Sequence, residues 1–232
     1  MRANPVQVGN VPRRLVAEFV GTALLVAAVV GSGIMAQNLA TDHAVALLAN
    51  TIATGGALVA ILLVFGPISG AHLNPAVTVV MATTKDLSPR VAAGYIAAQL
   101  AGGIVGAVLA NAMFDLALVS WSATDRSGAA KLLSEGVATF GLVGVVIGVG
   151  RTRASIAPLA VAAYIVAAYW FTASTSFANP AVTIARAFSN TYAGIRPSDV
   201  AGFIGAQAVG ALVGGLLFSW LTPLTRPAPV PA

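Results

Sequence analysis

Apolar residues in this chain come in long runs that do not alternate with polar ones. Six stand out, near 15–36, 44–66, 91–112, 132–150, 156–173 and 200–221. A helix needs roughly 20 apolar residues to cross the hydrocarbon of a bilayer. A membrane-crossing strand would alternate lipid-facing and lumen-facing side chains, so continuous runs predict helices rather than a barrel. The first run lacks a convincing small-residue cleavage site and carries Glu18, unlike a signal-peptide core, and reads as a retained span. The fold class that follows is an all-α polytopic membrane protein with six transmembrane helices.

Composition agrees with this pattern. Of 232 residues, 58% are hydrophobic and 8% charged, whereas a soluble domain carries about a quarter charged residues. With no cysteine, disulfides, thiolate nucleophiles and cysteine metal sites are excluded. The net charge of +5 does not read as a nucleic-acid footprint, because the basic residues punctuate the ends of the runs. Placing the N-terminus in the cytoplasm puts Arg2, Arg13, Arg14, Lys85, Arg90, Arg151, Arg153 and Arg226 inside. Arg126, Lys131, Arg186 and Arg196 fall outside, so the positive-inside bias favours cytoplasmic termini and a multi-pass protein of the inner (plasma) membrane. The proline-rich tail over 223–232 predicts a flexible end.

The chain also repeats itself. Ser69-Gly70-Ala71-His72-Leu73-Asn74-Pro75-Ala76-Val77-Thr78 answers Ser174-Thr175-Ser176-Phe177-Ala178-Asn179-Pro180-Ala181-Val182-Thr183. Upstream, Glu18 and Thr22 match Glu135 and Thr139; downstream, Gln99, Gly102 and Gly106 match Gln207, Gly210 and Gly214. The repeats run over about 12–112 and 131–221 within one channel domain of 1–232. Three spans per repeat force the two copies into opposite orientations, an arrangement that places a solute path near the midplane. The glycine spacing suits close helix crossing. Glu18 and Glu135 admit two roles: accepting hydrogen bonds from non-helical backbone beside each Asn-Pro-Ala, or coupling to protons. They are grouped with His72 as buried polar residues of structural use, and His72 also admits a pH-gating role.

Each Asn-Pro-Ala precedes an apolar run too short to span, 77–82 and 182–188. Asparagine caps a helix and proline suits its first turn. Two re-entrant half-helices are therefore predicted, meeting N-terminus to N-terminus with their positive dipole ends at the centre. Asn74 and Asn179 would then offer amide donors to a passing solute.

These residues resemble the aquaporin and glycerol-facilitator family from Glu18 to about Trp220. The likeness rests on Asn74-Pro75-Ala76 with its flanks, Asn179-Pro180-Ala181 and the paired Glu18 and Glu135. It implies a pore in every protomer, a homotetramer, no cofactor and no catalytic or metal-ligating residues. The partners implied are the lipid bilayer, water and small neutral solutes, with no nucleic acid. The family's outer constriction takes four residues, which fall on Thr54, Ala167, Ser176 and Val182 by ungapped counting from the two motifs. Val182 stands where the family usually has arginine, so the constriction is expected to be wide and uncharged. Arg186, four residues on, is a candidate for the outer vestibule or a cap on the half-helix C-terminus. Glycerol, urea, ammonia or undissociated metalloid hydroxides such as arsenite become plausible solutes, and the departures resemble a bacterial subgroup linked to arsenic detoxification.

A secondary transporter is the competing reading, since inverted repeats with broken helices also build those. No acidic residue falls beside either half-helix to bind a coupling ion. An enzyme finds little footing in a chain with two histidines, His43 and His72, and no cysteine. An adhesive role would call for long polar loops that are missing.

Overall fold

The computed structural model describes residues 10–84 and 87–223. Arg2, Lys85, Arg226 and tail residues 224–232 lie outside them. Among the described residues six spans are long and apolar enough to cross a membrane: α1 (Val11–Leu39), α2 (His43–Ser69), α4 (Pro89–Met113), α5 (Ala129–Thr152), α6 (Ala157–Phe171, its span counted from Ala154) and α8 (Pro197–Leu221). A single 3-10 turn, Ala154–Ile156, precedes α6. Two short helices, α3 (Pro75–Thr83) and α7 (Pro180–Arg186), complete the order. Among the described residues every regular element is helical.

Most spans extend past their apolar runs. Helix α1 begins at Val11 and ends at Leu39, because polar residues such as Arg13 and Asn38 can continue a helix into the hydrated interface while their heads stay wet. Its 29 residues reach about 44 Å at 1.5 Å each. Helix α6 is instead shorter than its run: at Thr172 the backbone turns extended, with φ −116° and ψ 136°. The half-helices begin earlier than their apolar runs, at the prolines themselves, and α7 stops at Arg186.

The two halves pack alike. Helix α1 lies against α4 and α5 against α8, with α3 and α7 each packed on elements of both halves. A side chain at Gly102 would collide with the Phe19 carbonyl, and one at Gly210 with the Gly136 carbonyl. Bare backbone at these crossings lets the helices approach closely enough to wall a narrow interior. Large apolar side chains such as Leu216 and Trp220, 77% and 74% exposed, face outward, as a lipid-facing surface requires.

Candidate functional site

The segments leading into α3 and α7 are neither helix nor strand. Ala71 and Leu73 have φ of 45° and 51°; Ser176 and Ala178 have 51° and 48°. A left-handed residue with a side chain costs about 1–2 kcal/mol, so something must hold each segment. A buried carboxylate does so in each half. Glu18 accepts the backbone N–H of His72 (3.0 Å) and Leu73 (2.7 Å), the Ser69 hydroxyl (2.6 Å) and the Gln99 amide (2.8 Å). Glu135 accepts those of Phe177 (2.8 Å) and Ala178 (2.8 Å), the Ser174 hydroxyl (2.6 Å) and the Gln207 amide (2.6 Å). The same glutamines donate onward to Thr78 and Thr183, each at 2.9 Å. Turning consecutive backbone N–H groups toward one carboxylate makes an anion nest. The carboxylate locks the loop, and the loop satisfies the carboxylate.

Each half-helix is capped by its own asparagine. Asn74 Oδ1 accepts from Ala76 and Val77, and Asn179 Oδ1 from Ala181 and Val182. The amide nitrogens then cross between halves: Asn74 Nδ2 donates to Ala178 O and Asn179 Nδ2 to Leu73 O, both at 2.8 Å. One of the two hydrogens on each amide is thereby committed to the protein. The second remains for a ligand, so each asparagine offers one donor rather than two.

A cavity of about 960 Å³ runs past both asparagines, from Arg14 at one end to Arg186 at the other. Thr54, Ser176 and Val182 line it, and among the described residues neither Asp nor Glu does. Ala167 does not line it. The lining stripe of α6 is Pro158, Val161, Ile165 and Tyr169, spaced three and four apart as one helix face demands. Ala167 stands two positions from Tyr169, about 200° around the helix, and is exposed on the outside. Tyr169 takes the place expected for Ala167, its hydroxyl 3.3 Å from that of Thr54. His72, expected among the buried polar residues, is half-buried instead. It lines the cavity with Nδ1 3.2 Å from the Thr78 hydroxyl.

Both ends of the cavity carry arginine. Arg14 donates from Nε to the Tyr95 hydroxyl at 2.6 Å, which donates to Ser69 O at 2.7 Å. Arg186 is buried, donates from Nε to Ala193 O, and lies with its guanidinium carbon 3.4 Å from the Phe177 ring centroid. Thr54, Ser176 and Val182 bring no charge to the lining, and Arg186, expected at the vestibule or as a cap, lines the same cavity.

Comparison with known proteins matches residues 6–176 to the model of the major intrinsic protein family. The chain belongs to that family. It is 54% identical over 218 residues to aquaglyceroporin AqpS of Rhizobium meliloti (strain 1021), covering 94% of each chain. Aquaporin NIP1-3 of Oryza sativa subsp. japonica is 32% identical over 223 residues, 93% of this chain and 76% of that one. Among solved structures, the aquaglyceroporin from Plasmodium falciparum superposes with a TM-score of 0.69 at 20% identity, covering 90% of this chain and 95% of that one. That last likeness concerns the fold.

Within this major intrinsic protein, motif spacing had no means of finding Tyr169 or Arg14. The α6 stripe was a usable signal for Tyr169: Val161, Ile165 and Tyr169 recur at helical spacing. For Arg14 no comparable signal exists, because its role depends on Tyr95, 81 residues away. Among the described residues no group of three or more His, Cys, Asp or Glu could hold a metal ion.

Proposed function

We propose that this protein is a passive channel carrying water and small uncharged solutes, glycerol-sized molecules among them, down their gradients. The cavity carries the reading: it passes both capped half-helices, each asparagine presents one amide donor to it, and among the described residues no carboxylate lines it. A pore that offers donors at its midpoint can replace hydrogen bonds that a solute loses on leaving water. Thr54, Tyr169, Ser176 and Val182 form the neck beside Arg186. Glycerol, urea and undissociated metalloid hydroxides such as arsenite all suit such a neck, and the name of the Rhizobium relative supports glycerol.

Coupled transport is disfavoured by the glutamates. Glu18 and Glu135 have no solvent exposure, and each accepts four hydrogen bonds, leaving no open position for a coupling ion from the lumen. Nor does the cavity hold the paired acids and bases of an enzyme. The protein is read as one channel domain with repeats over about 12–112 and 131–221, assembled as a homotetramer. It lies in the inner membrane with both termini cytoplasmic. Arg13, Arg14, Arg90, Arg151 and Arg153 support that orientation, which makes the Arg186 end the outer mouth.

In proteoliposomes, water and glycerol flux should proceed without a proton or sodium gradient and stop when solute concentrations equalise. Accumulation of any solute against its own gradient would overturn the channel reading.

A further inference from the structure

Beyond the long cavity lies a second pocket of about 570 Å³, lined by Asn50, Asp125, Arg126, Asn190 and Tyr192 among others. Among the described residues only Arg186 lines both spaces. Anything passing from the outer pocket into the pore therefore passes its guanidinium.

That guanidinium has no carboxylate partner. Among the described residues the ion pairs join Arg196 to Asp125 (3.6 Å) and to Asp199 (3.1 Å). Asp125, the acid that lines the outer pocket, also accepts from the backbone and hydroxyl of Ser127. Asp199 accepts the Arg126 backbone N–H. The neighbouring cation, Arg126, donates to Gly194 O, Ser174 O, Thr175 Oγ1 and Tyr192 O, so four of its five N–H donors are occupied. Arg186 differs. Its Nε is anchored on Ala193 O and its plane rests on Phe177. Its terminal nitrogens have no acceptor among the described residues, although the residue is only 2% exposed.

We propose that Arg186 is the selectivity-determining residue of the outer mouth. It binds solutes through their oxygen acceptors and excludes cations, in place of a charge at position 182. This rests on the channel reading and adds to it the residue that enforces its solute class, uncharged molecules with hydroxyl or carbonyl oxygens. A guanidinium donates hydrogen bonds and accepts none, so it stands in for water toward a polyol or urea and can offer a metal or organic cation nothing. Its charge acts across a space walled by protein, where screening by water is weak and repulsion correspondingly strong. The Phe177 platform and the Ala193 carbonyl hold the plane at the edge of the passage, which leaves room for a solute to move past.

Urea and guanidinium, alike in shape and different in charge, separate the effects of size and charge. Wild-type protein should pass urea in liposome swelling and carry no guanidinium or sodium current in planar bilayers. Arg186→Gln should raise both cation currents by at least about tenfold and change urea flux by less than about threefold. Arg186→Lys, which keeps the charge, should remain cation-tight. A variant that leaves the buried arginine in place guards against misfolding. Asn190→Asp keeps the exposed side-chain oxygen that accepts the Ala123 N–H and sets a negative charge in the outer pocket. It too should raise cation current, by severalfold. Full cation exclusion in both Arg186→Gln and Asn190→Asp, with urea flux intact, would overturn the inference and leave the channel standing. Failure of the wild type to pass urea or water would sink the channel reading instead.

Discussion

At the scale of single residues, the site is a set of buried polar groups whose partners are fixed by the other half of the molecule. Asn179 illustrates this, since its Nδ2 donates to Leu73 O, 106 positions away. Asn74→Asp or Asn179→Asp replaces a donor with an oxygen and sets it against a carbonyl oxygen. Stranding that carbonyl alone costs about 1–3 kcal/mol. Both variants are expected to lose at least tenfold in glycerol flux per folded protein, and normal flux in liposomes would show that the cross-link is dispensable. Val182 presents the opposite case, a small apolar side chain on the cavity wall beside Asn179. Val182→Arg would fill the neck and place a second cation four residues before Arg186 on one helix, where like charges repel. The glycerol-to-water permeability ratio should fall by about tenfold, an added barrier of about 1.4 kcal/mol. An unchanged ratio would mean that the limiting constriction lies elsewhere.

Elements turn those residues into a passage. Helices α3 and α7 have nine and seven residues, about 10–14 Å at 1.5 Å per residue, and so each reaches about a third to a half of a bilayer core. They were legible because their signals are local: an asparagine cap, a proline in the first turn and an apolar run too short to span. The long helices were legible for the same reason, with ends misjudged by a few residues where polar side chains continue the helix into the interface. The neck was not legible in this way. Which face of α6 meets the cavity depends on how many residues the non-helical stretch after Phe171 consumes, and no periodicity encodes that number. Ungapped counting therefore reached Ala167 where the lining residue is Tyr169. Arg186 was marked as a vestibule candidate by its distance from Val182, but its anchoring was hidden, since Phe177 and the Ala193 carbonyl come to it only through the folded loops on either side of α7. Helix crossings carry a testable consequence of their own. Gly210→Leu must displace the Gly136 backbone, an overpacking that costs about 1–3 kcal/mol or more. It should lower the thermal stability of detergent-solubilised protein, whereas the same change at Gly205, where an added Cβ meets nothing within 4 Å, should not.

For the molecule as a whole, the decisive feature is that both repeats of one chain contribute to the cavity wall. Elements of both repeats supply the wall, from Leu25 and Thr54 in the first to Ile165 and Val182 in the second. Assembly into a tetramer would then cover outward-facing apolar surface without creating the path for solute. This separates two architectures that bulk flux cannot distinguish. If each protomer conducts alone, liposomes made from mixtures of wild type and the inactive Asn179→Asp variant, co-assembled before purification, should lose glycerol flux in direct proportion to the variant fraction. A path along the shared axis between four chains would behave otherwise, because one defective member would impair the whole ring and flux would fall far more steeply than linearly. Half-and-half mixtures should retain about half of the wild-type flux if the loss per variant protomer is tenfold or more. Retention near one-sixteenth would place the conducting path between protomers and assign the cavity some other use.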